Sequence, residues 1–216
     1  ASDVYKRQGQ YGEHDLFIGV SVPDIRRSIK PYHNMSLEDL SHLISSQIHE
    51  DRLAALIILV NQYKRSKETQ LKDRIYKFYI KHMDKVNNWD LVDNSAHHIV
   101  GQHIMDNNFK DKDFLFRLAA SSIMWERRIA IVSTFVFIKN AKLALTFKIA
   151  QNLLDDKEDL MHKAVGWMLR VAWKKDSQTT EDFLIKHYNY LPRTSLRYAI
   201  ERMEPLKRKR VLKGIF

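Results

Sequence analysis

Apolar residues recur at helical spacing through most of the chain. In "ETQLKDRIYKFYIKHM" (68–83), Leu71, Ile75, Phe78 and Tyr79 fall on one stripe. Steps of three and four residues stack side chains on one face of a helix, so the stripe predicts an amphipathic helix. "DRLAALIILVNQYK" (51–64) grades from amphipathic to buried, and "SLEDLSHLISSQ" (36–47) opens on Ser36 and Asp39, a helix-start signal. Further helices are predicted over 88–105, 111–120, 124–138, 142–154, 158–173, 178–189, 193–203 and 205–212.

These helices are short and similar in length, the mark of an internal repeat. A charged residue shortly before a small one recurs along the chain: Arg52 before Ala54, Asp93 before Ser95, Arg128 before Ala130, Lys163 before Ala164, Arg197 before Ala199. The successive steps are 41, 35, 35 and 34 residues. That is the length of a two-helix unit with a small residue where helices cross closely. The pattern predicts an all-α fold, an α-solenoid of HEAT-like helical pairs with a concave, basic face. Asp93, Arg128, Lys163 and Arg197 take equivalent places in successive units, with Trp89, Trp125 and Trp167 within one helical turn of them. A stripe of charges and indoles suits a phosphate backbone and its sugars.

Composition narrows the choice. Glycine (6) and proline (4) are scarce, which disfavours a turn-rich β-sandwich. Cysteine is absent, so a disulfide framework, a thiolate nucleophile and Cys-ligated zinc are excluded. The net charge of +10 argues for a polyanionic partner, nucleic acid before anionic membrane. The longest apolar run, "IAIVSTFVFI" (129–138), falls short of the ~18 residues of a membrane span and reads as a buried helix. The chain therefore reads as soluble and cytoplasmic. The first residues (1–10) carry no pattern and read as a disordered or artefactual segment, leaving 11–216 as a single repeat domain.

"NNWDLVDN" (87–94) places Trp89 and Asp93 four residues apart, on one helical face. Asp93 either caps a helix over a core tryptophan or belongs to a site that meets a cation. Arg127 and Arg128 open an apolar helix, as an exposed pair bridged to Glu126 or Asp93 or as a fork for phosphate oxygens. Gly166 sits inside a helix at a cost of ~1 kcal/mol against alanine, which asks for a helix or ligand backbone close by. His97, His98 and His103 lack metal-ligand spacing, and no GxSxG, P-loop or GxGxxG pattern occurs. "DDKED" (155–159) reads as a solvated loop and helix N-terminus, and "KRKR" (207–210) as a solvated basic helix.

Five stretches, in this order and spacing, carry a resemblance: "YGEHDLFIGVSVPDIRR" (11–27), "NNWDLVDNSAHHIVG" (87–101), "WERRIAIVSTF" (125–135), "DKEDLMHKAVGWMLR" (156–170) and "LPRTSLRYAIERM" (191–203). The chain resembles the HEAT-like repeat DNA alkylation repair glycosylases of the AlkD type, over nearly everything from residue 11 onward. The resemblance implies removal of cationic N3- and N7-alkylated purines from double-stranded DNA, without flipping the base into a pocket. Trp89 and Asp93 match the family's WDxVD motif, Arg128 its WxxR motif, and Trp167 its GW motif. It implies that Asp93 is the catalytic carboxylate, that Trp89 and Trp167 pack on the lesion's sugar and backbone, and that Arg128 contacts DNA. Arg127, Lys163 and Arg197 join the expected DNA-binding set through the basic stripe. The expected enzyme is a monofunctional glycosylase and monomer with no cofactor, no metal and no obligate protein partner. Against the family's pattern the chain is short at its N-terminus, and Ser21 and Val171 replace a longer polar or basic residue and an acid. The rival reading is a non-catalytic HEAT-repeat scaffold that binds damaged DNA or an acidic protein partner.

Overall fold

The structure, a computed structural model, describes residues 15–216, so the segment expected over 1–10 lies outside the described residues. Among the described residues the chain is all-helical, apart from a single bridge between Leu16 and Ile48. The chain divides into two compact units, one ending at His103 and one starting at Ile104.

The first unit contains α1 (Val22–Ser28), α2 (Leu37–Ile44), α3 (His49–Arg65), α4 (Thr69–Lys81) and α5 (Trp89–Ala96). α5 passes through a π turn (His97–Gly101) into α6 (Gln102–Asp106), in which the unit ends. Ser21 and Ser36 begin α1 and α2 in extended conformation and accept hydrogen bonds from the Asp24 and Asp39 amides. Each satisfies an N–H that the helix leaves unpaired. Ser21 is therefore the cap of α1. α3 supplies the core with Leu53, Leu56, Ile57, Leu59 and Val60, all buried, and packs against α1, α2, α4 and α5. Full burial of each such side chain contributes ~1.5–3 kcal/mol.

The second unit contains α7 (Lys112–Ala119), α8 (Met124–Ser133), α9 (Phe135–Lys139), α10 (Ala144–Asn152), α11 (Asp159–Lys175), α12 (Ser177–His187), α13 (Arg193–Ala199) and α14 (Pro205–Val211). α11 is its axis and packs against α8, α9, α10, α12 and α13. Asp176 caps α12 by accepting from the Thr179 amide at 3.0 Å. Glu204 caps α14 through the Leu206 and Lys207 amides, and Pro205 fits the first turn because its missing N–H has no partner to lose.

The repeat is visible in where helices start. Those beginning at 49, 89, 124, 159 and 193 alternate with those beginning at 37, 69, 112, 144 and 177. Asp93, Arg128, Lys163 and Arg197 are each the fifth residue of their helix, whereas Arg52 is the fourth. That one-residue offset explains part of the longer first step. Three helices differ from expectation, and one of them, predicted over 124–138, divides at Thr134 into α8 and α9. The one predicted over 88–105 contains the π turn, a widening that periodicity alone does not show. The one predicted over 193–203 stops at Ala199, with Ile200 as its C-cap, and the next helix begins at Pro205. Among the described residues, no helix is long and apolar enough to cross a membrane.

Candidate active site

α5 presents the tryptophan–aspartate pair. Its N-cap is Asn88, extended at φ −145° and ψ 155°, whose Oδ1 accepts from the Trp89 amide at 2.8 Å. Asp93 lies one turn inside the helix, so the capping role considered for it falls to Asn88. Leu91, Val92, Ser95 and Ala96 are wholly buried, and Trp89 and Asp93 lie half-buried on a different part of the helix surface. Trp89 opens the helix and is not a closed core residue. Behind them, buried Tyr79 donates to Ser95 Oγ at 3.1 Å, and Ser95 donates on to the Leu91 carbonyl at 2.5 Å. Burial holds the Tyr79 phenol well above its usual pKa, and the negative charge of Asp93 adds to the effect. The phenol is thus a neutral support and not a second anion beside Asp93.

The first turn of α5 is anchored by a buried polar cluster. His49, at the start of α3, is 3% exposed; its Nδ1 lies 3.2 Å from Asp15 Oδ2 and its Nε2 2.8 Å from Asp90 Oδ2. Asp15 also accepts from Arg52 at 2.6 Å and from Asn88 Nδ2 at 3.0 Å. Burial pushes both His49 and Asp15 toward their neutral forms, but their mutual contacts win. The hydrogen bonds that His49 donates to Asp15 and Asp90 raise it to about 9. Hydrogen bonds from His49 and Asn88, with the charge of Arg52, lower Asp15 to about 2. At neutral pH His49 is therefore an imidazolium with both N–H groups engaged, and the two carboxylates face two cations. Phe17 lies over the imidazole with ring centroids 4.7 Å apart, and Glu50 accepts from the Ile18 and Gly19 amides.

The second unit holds the other expected site residues. Arg127 makes a two-nitrogen pair with Asp156, at 2.6 and 3.2 Å, and donates to the Ser121 and Ser122 carbonyls. The Asp156 side chain is 3% exposed. The loop and helix N-terminus expected for "DDKED" are exposed except at Asp156, which is the buried counter-ion of Arg127 and also accepts from the Glu158 amide. Arg128 is 5% exposed and donates to the Leu160 carbonyl at 2.7 Å, which ties α8 to α11. Lys163 and Trp167 stand one turn apart on α11, Lys163 bridged to Asp159 at 2.7 Å. The half-buried Trp167 leans on Phe135, centroids 6.1 Å apart. Arg197 on α13 is exposed. Gly166 meets α13 directly, since a Cβ there would lie 2.5 Å from both the Ser195 carbonyl oxygen and the Tyr198 Cβ. Of the two justifications for a glycine at this point, the close helix is present.

Sequence reasoning missed His49, Asp15, Asn88 and Asp90 as a cluster, and Asp156 as the partner of Arg127. The separations are 34, 41 and 73 residues in the first case and 29 in the second. The one local hint was two ionisable residues, His49 and Glu50, heading an apolar helix. Of the histidines weighed as metal ligands, His98 Nε2 lies 3.0 Å from the Lys64 ammonium, and His103 stacks on Tyr76 at 3.9 Å.

A protein described as "Predicted DNA alkylation repair enzyme from Enterococcus faecalis" superposes on this chain with a TM-score of 0.70. The two are 17% identical, over 90% of this chain and 92% of the other. At that identity the likeness speaks for a shared fold. No curated protein matches the sequence. The pattern of one protein family, described as DNA alkylation repair enzyme, matches residues 2–203. With nearly the whole chain matched, this protein belongs to the DNA alkylation repair enzyme family.

Proposed function

We propose that this protein is a monofunctional DNA glycosylase that hydrolyses the N-glycosidic bond of cationic N3- and N7-alkylated purines in double-stranded DNA. The observation that carries the reading is the pair on α5: an indole and a carboxylate one turn apart, both half-buried, in a chain of the alkylation repair family. Alkylation turns the purine into a cation and so into a good leaving group, and little acid catalysis is needed. As the bond to C1′ breaks, the electron pair goes to the base, which leaves neutral, and positive charge appears on deoxyribose. Asp93 stabilises that oxocarbenium-like sugar and accepts a proton from the water that adds to C1′. Trp89 and Trp167 supply indole faces, which favour cationic neighbours and pack on sugar C–H groups. The base need not enter a pocket.

Phosphate contacts are assigned to Lys163 and Arg197, whereas Arg128, 5% exposed and tied to the Leu160 carbonyl, is assigned to hold α8 against α11. Arg127, held by Asp156, shapes the turn that leads into α8, and any contact with DNA comes through that turn. No cofactor or metal has a step in this scheme, and the enzyme acts on DNA as a monomer in the cytoplasm. The direct test is base release from a duplex carrying one 7-methylguanine, corrected for spontaneous depurination, beside an Asp93→Asn variant. Release by the wild type and a loss of at least ~100-fold in the variant, with duplex affinity kept, is the expected result. Binding by both proteins with no release above background by either would leave the DNA-binding scaffold as the better account.

A further inference from the structure

We infer that His49 is a positioning residue for this site: wedged between Asp15 and Asp90, it clamps the first turn of α5 and so sets where Trp89 and Asp93 stand. The inference rests on the glycosylase reading for its chemistry but on the first unit alone for its geometry.

His49 stands at the junction of three segments. Its own amide donates to the Leu16 carbonyl at 2.8 Å, which fixes the start of α3 against the 15–19 segment. One ring nitrogen holds Asp15 in that segment, and the other holds Asp90, the neighbour of Trp89 and the residue one turn before Asn94 on α5. Asp15 then reaches α5 a second time, through the Asn88 side chain that caps the helix. The start of α5 is thus held at the two residues that flank Trp89, the cap Asn88 and Asp90, by one connected set of hydrogen bonds. Rotation of that turn moves the residue at its head, Trp89, and the residue directly below it, Asp93.

Within this cluster the cations are His49 and Arg52 and the anions are Asp15 and Asp90; Glu50 beside them is spent on the Ile18 and Gly19 amides. Arg52 cannot replace His49, because its guanidinium is already shared among Asp15, Ser46 O and Gln47 O. A histidine can bridge two carboxylates at opposite ends of one flat ring only when both nitrogens carry protons. Neither Asp15 nor Asp90 touches the reacting atoms in this account; both act through the backbone of α5.

The test uses three variants of the full chain. His49→Gln removes the bridge, and Asp90→Asn is a milder break at a side chain that is 14% exposed. Leu59→Ala is the control, because Leu59 is buried on the same α3 but lies far from its first turn. Each is measured for thermal stability, duplex affinity, single-turnover release of 7-methylguanine per folded molecule, and hydrogen exchange at the Val92 amide, which bonds to the Asn88 carbonyl. We expect His49→Gln to slow release by ~10–100-fold, the cost of misplacing a catalytic group by about 1 Å, with duplex affinity within about twofold of wild type. Asp90→Asn should fall between. Leu59→Ala should lose stability and keep its rate, with Val92 exchanging as in wild type. Release by His49→Gln at the wild-type rate, or losses in all three that merely follow stability, overturns the inference. If His49→Gln does not fold, Asp90→Asn decides by the same criteria. If the wild type itself releases no base, the glycosylase reading has failed, and Val92 exchange alone decides the clamp: faster in His49→Gln and Asp90→Asn supports it, and unchanged exchange overturns it.

Discussion

A Cβ on Gly166 would press on the backbone of α13 at 2.5 Å, not on the end of a flexible side chain. Two effects of Gly166→Ala therefore oppose each other. Alanine favours the helix by ~1 kcal/mol, whereas overpacking a tight contact costs about 1–3 kcal/mol, with the upper end applying when backbone must move. Ser195 adds to the upper end, because its hydroxyl donates to the His162 carbonyl at 2.9 Å and holds α13 where it is. The second effect wins. Gly166→Ala should lower the melting temperature by roughly 2–8 °C in a thermal scan, and an unchanged or raised midpoint would remove the packing account. Neighbouring residues show how differently one residue type is used. Arg127 faces a buried carboxylate, so its charge is committed to structure, while Arg197 is exposed and its charge is offered to solvent. Their places in the sequence, each near the start of a short helix, look alike.

At the scale of elements, α3 and α5 and the 15–19 segment are joined by charge as well as by apolar packing, and this makes their union depend on pH. His49 is raised in the folded protein from its ordinary 6.5 to about 9. Its contribution is complete below 6.5 and is lost as pH rises through 9. Asp15 is depressed from its ordinary 3.8 to about 2, so its contribution is present above 3.8 and is lost as pH falls toward 2. Both are at full strength only between about pH 4 and 6.5. Differential scanning calorimetry across pH 4–10 should show a plateau in that window. Above it, stability should fall by on the order of 2 kcal/mol, or roughly 4–8 °C. In His49→Gln the alkaline decline should be largely absent, and an equal decline in that variant would place its cause elsewhere. The helix ends follow the same logic on a smaller scale, with Ser21, Ser36, Asn88, Asp176 and Glu204 each satisfying an amide that its helix leaves over.

Over the whole molecule, the excess of 36 Lys and Arg against 26 Asp and Glu is a long-range field. Ion pairs cancel part of it locally, as at Arg127 with Asp156 and Lys163 with Asp159. What is left acts on a polyanion by releasing its counterions, and each phosphate neutralised adds about 0.9 to the salt slope of duplex affinity. Binding measured between 50 and ~200 mM salt should therefore weaken steeply. Arg197→Ala should reduce the slope by about one phosphate while leaving the melting temperature unchanged, as expected of an exposed side chain. A slope equal to that of the wild type would take Arg197 out of the interface. Weak binding without salt dependence in the wild type would argue for a protein partner.

Helical content, the two-helix repeat and its phase were legible in the sequence alone, because helical periodicity is a local property repeated every few residues. The same locality put Trp89 and Asp93 on one face and showed that Gly166 needs a close neighbour. Reading those stretches together also pointed to the family. Which neighbour Gly166 has, that α13 ends at Ala199, and that a π turn interrupts the helix after Ala96 were settled by packing. So were the partners of the buried charges. His49 reads as one more residue at the head of an apolar helix, and Asp156 as one acid among several, until the chain brings Asp90 to the first and Arg127 to the second. Contacts across 29 to 73 residues leave no local period, and the cost of burying a charge without its partner is set only once tertiary structure has excluded the water.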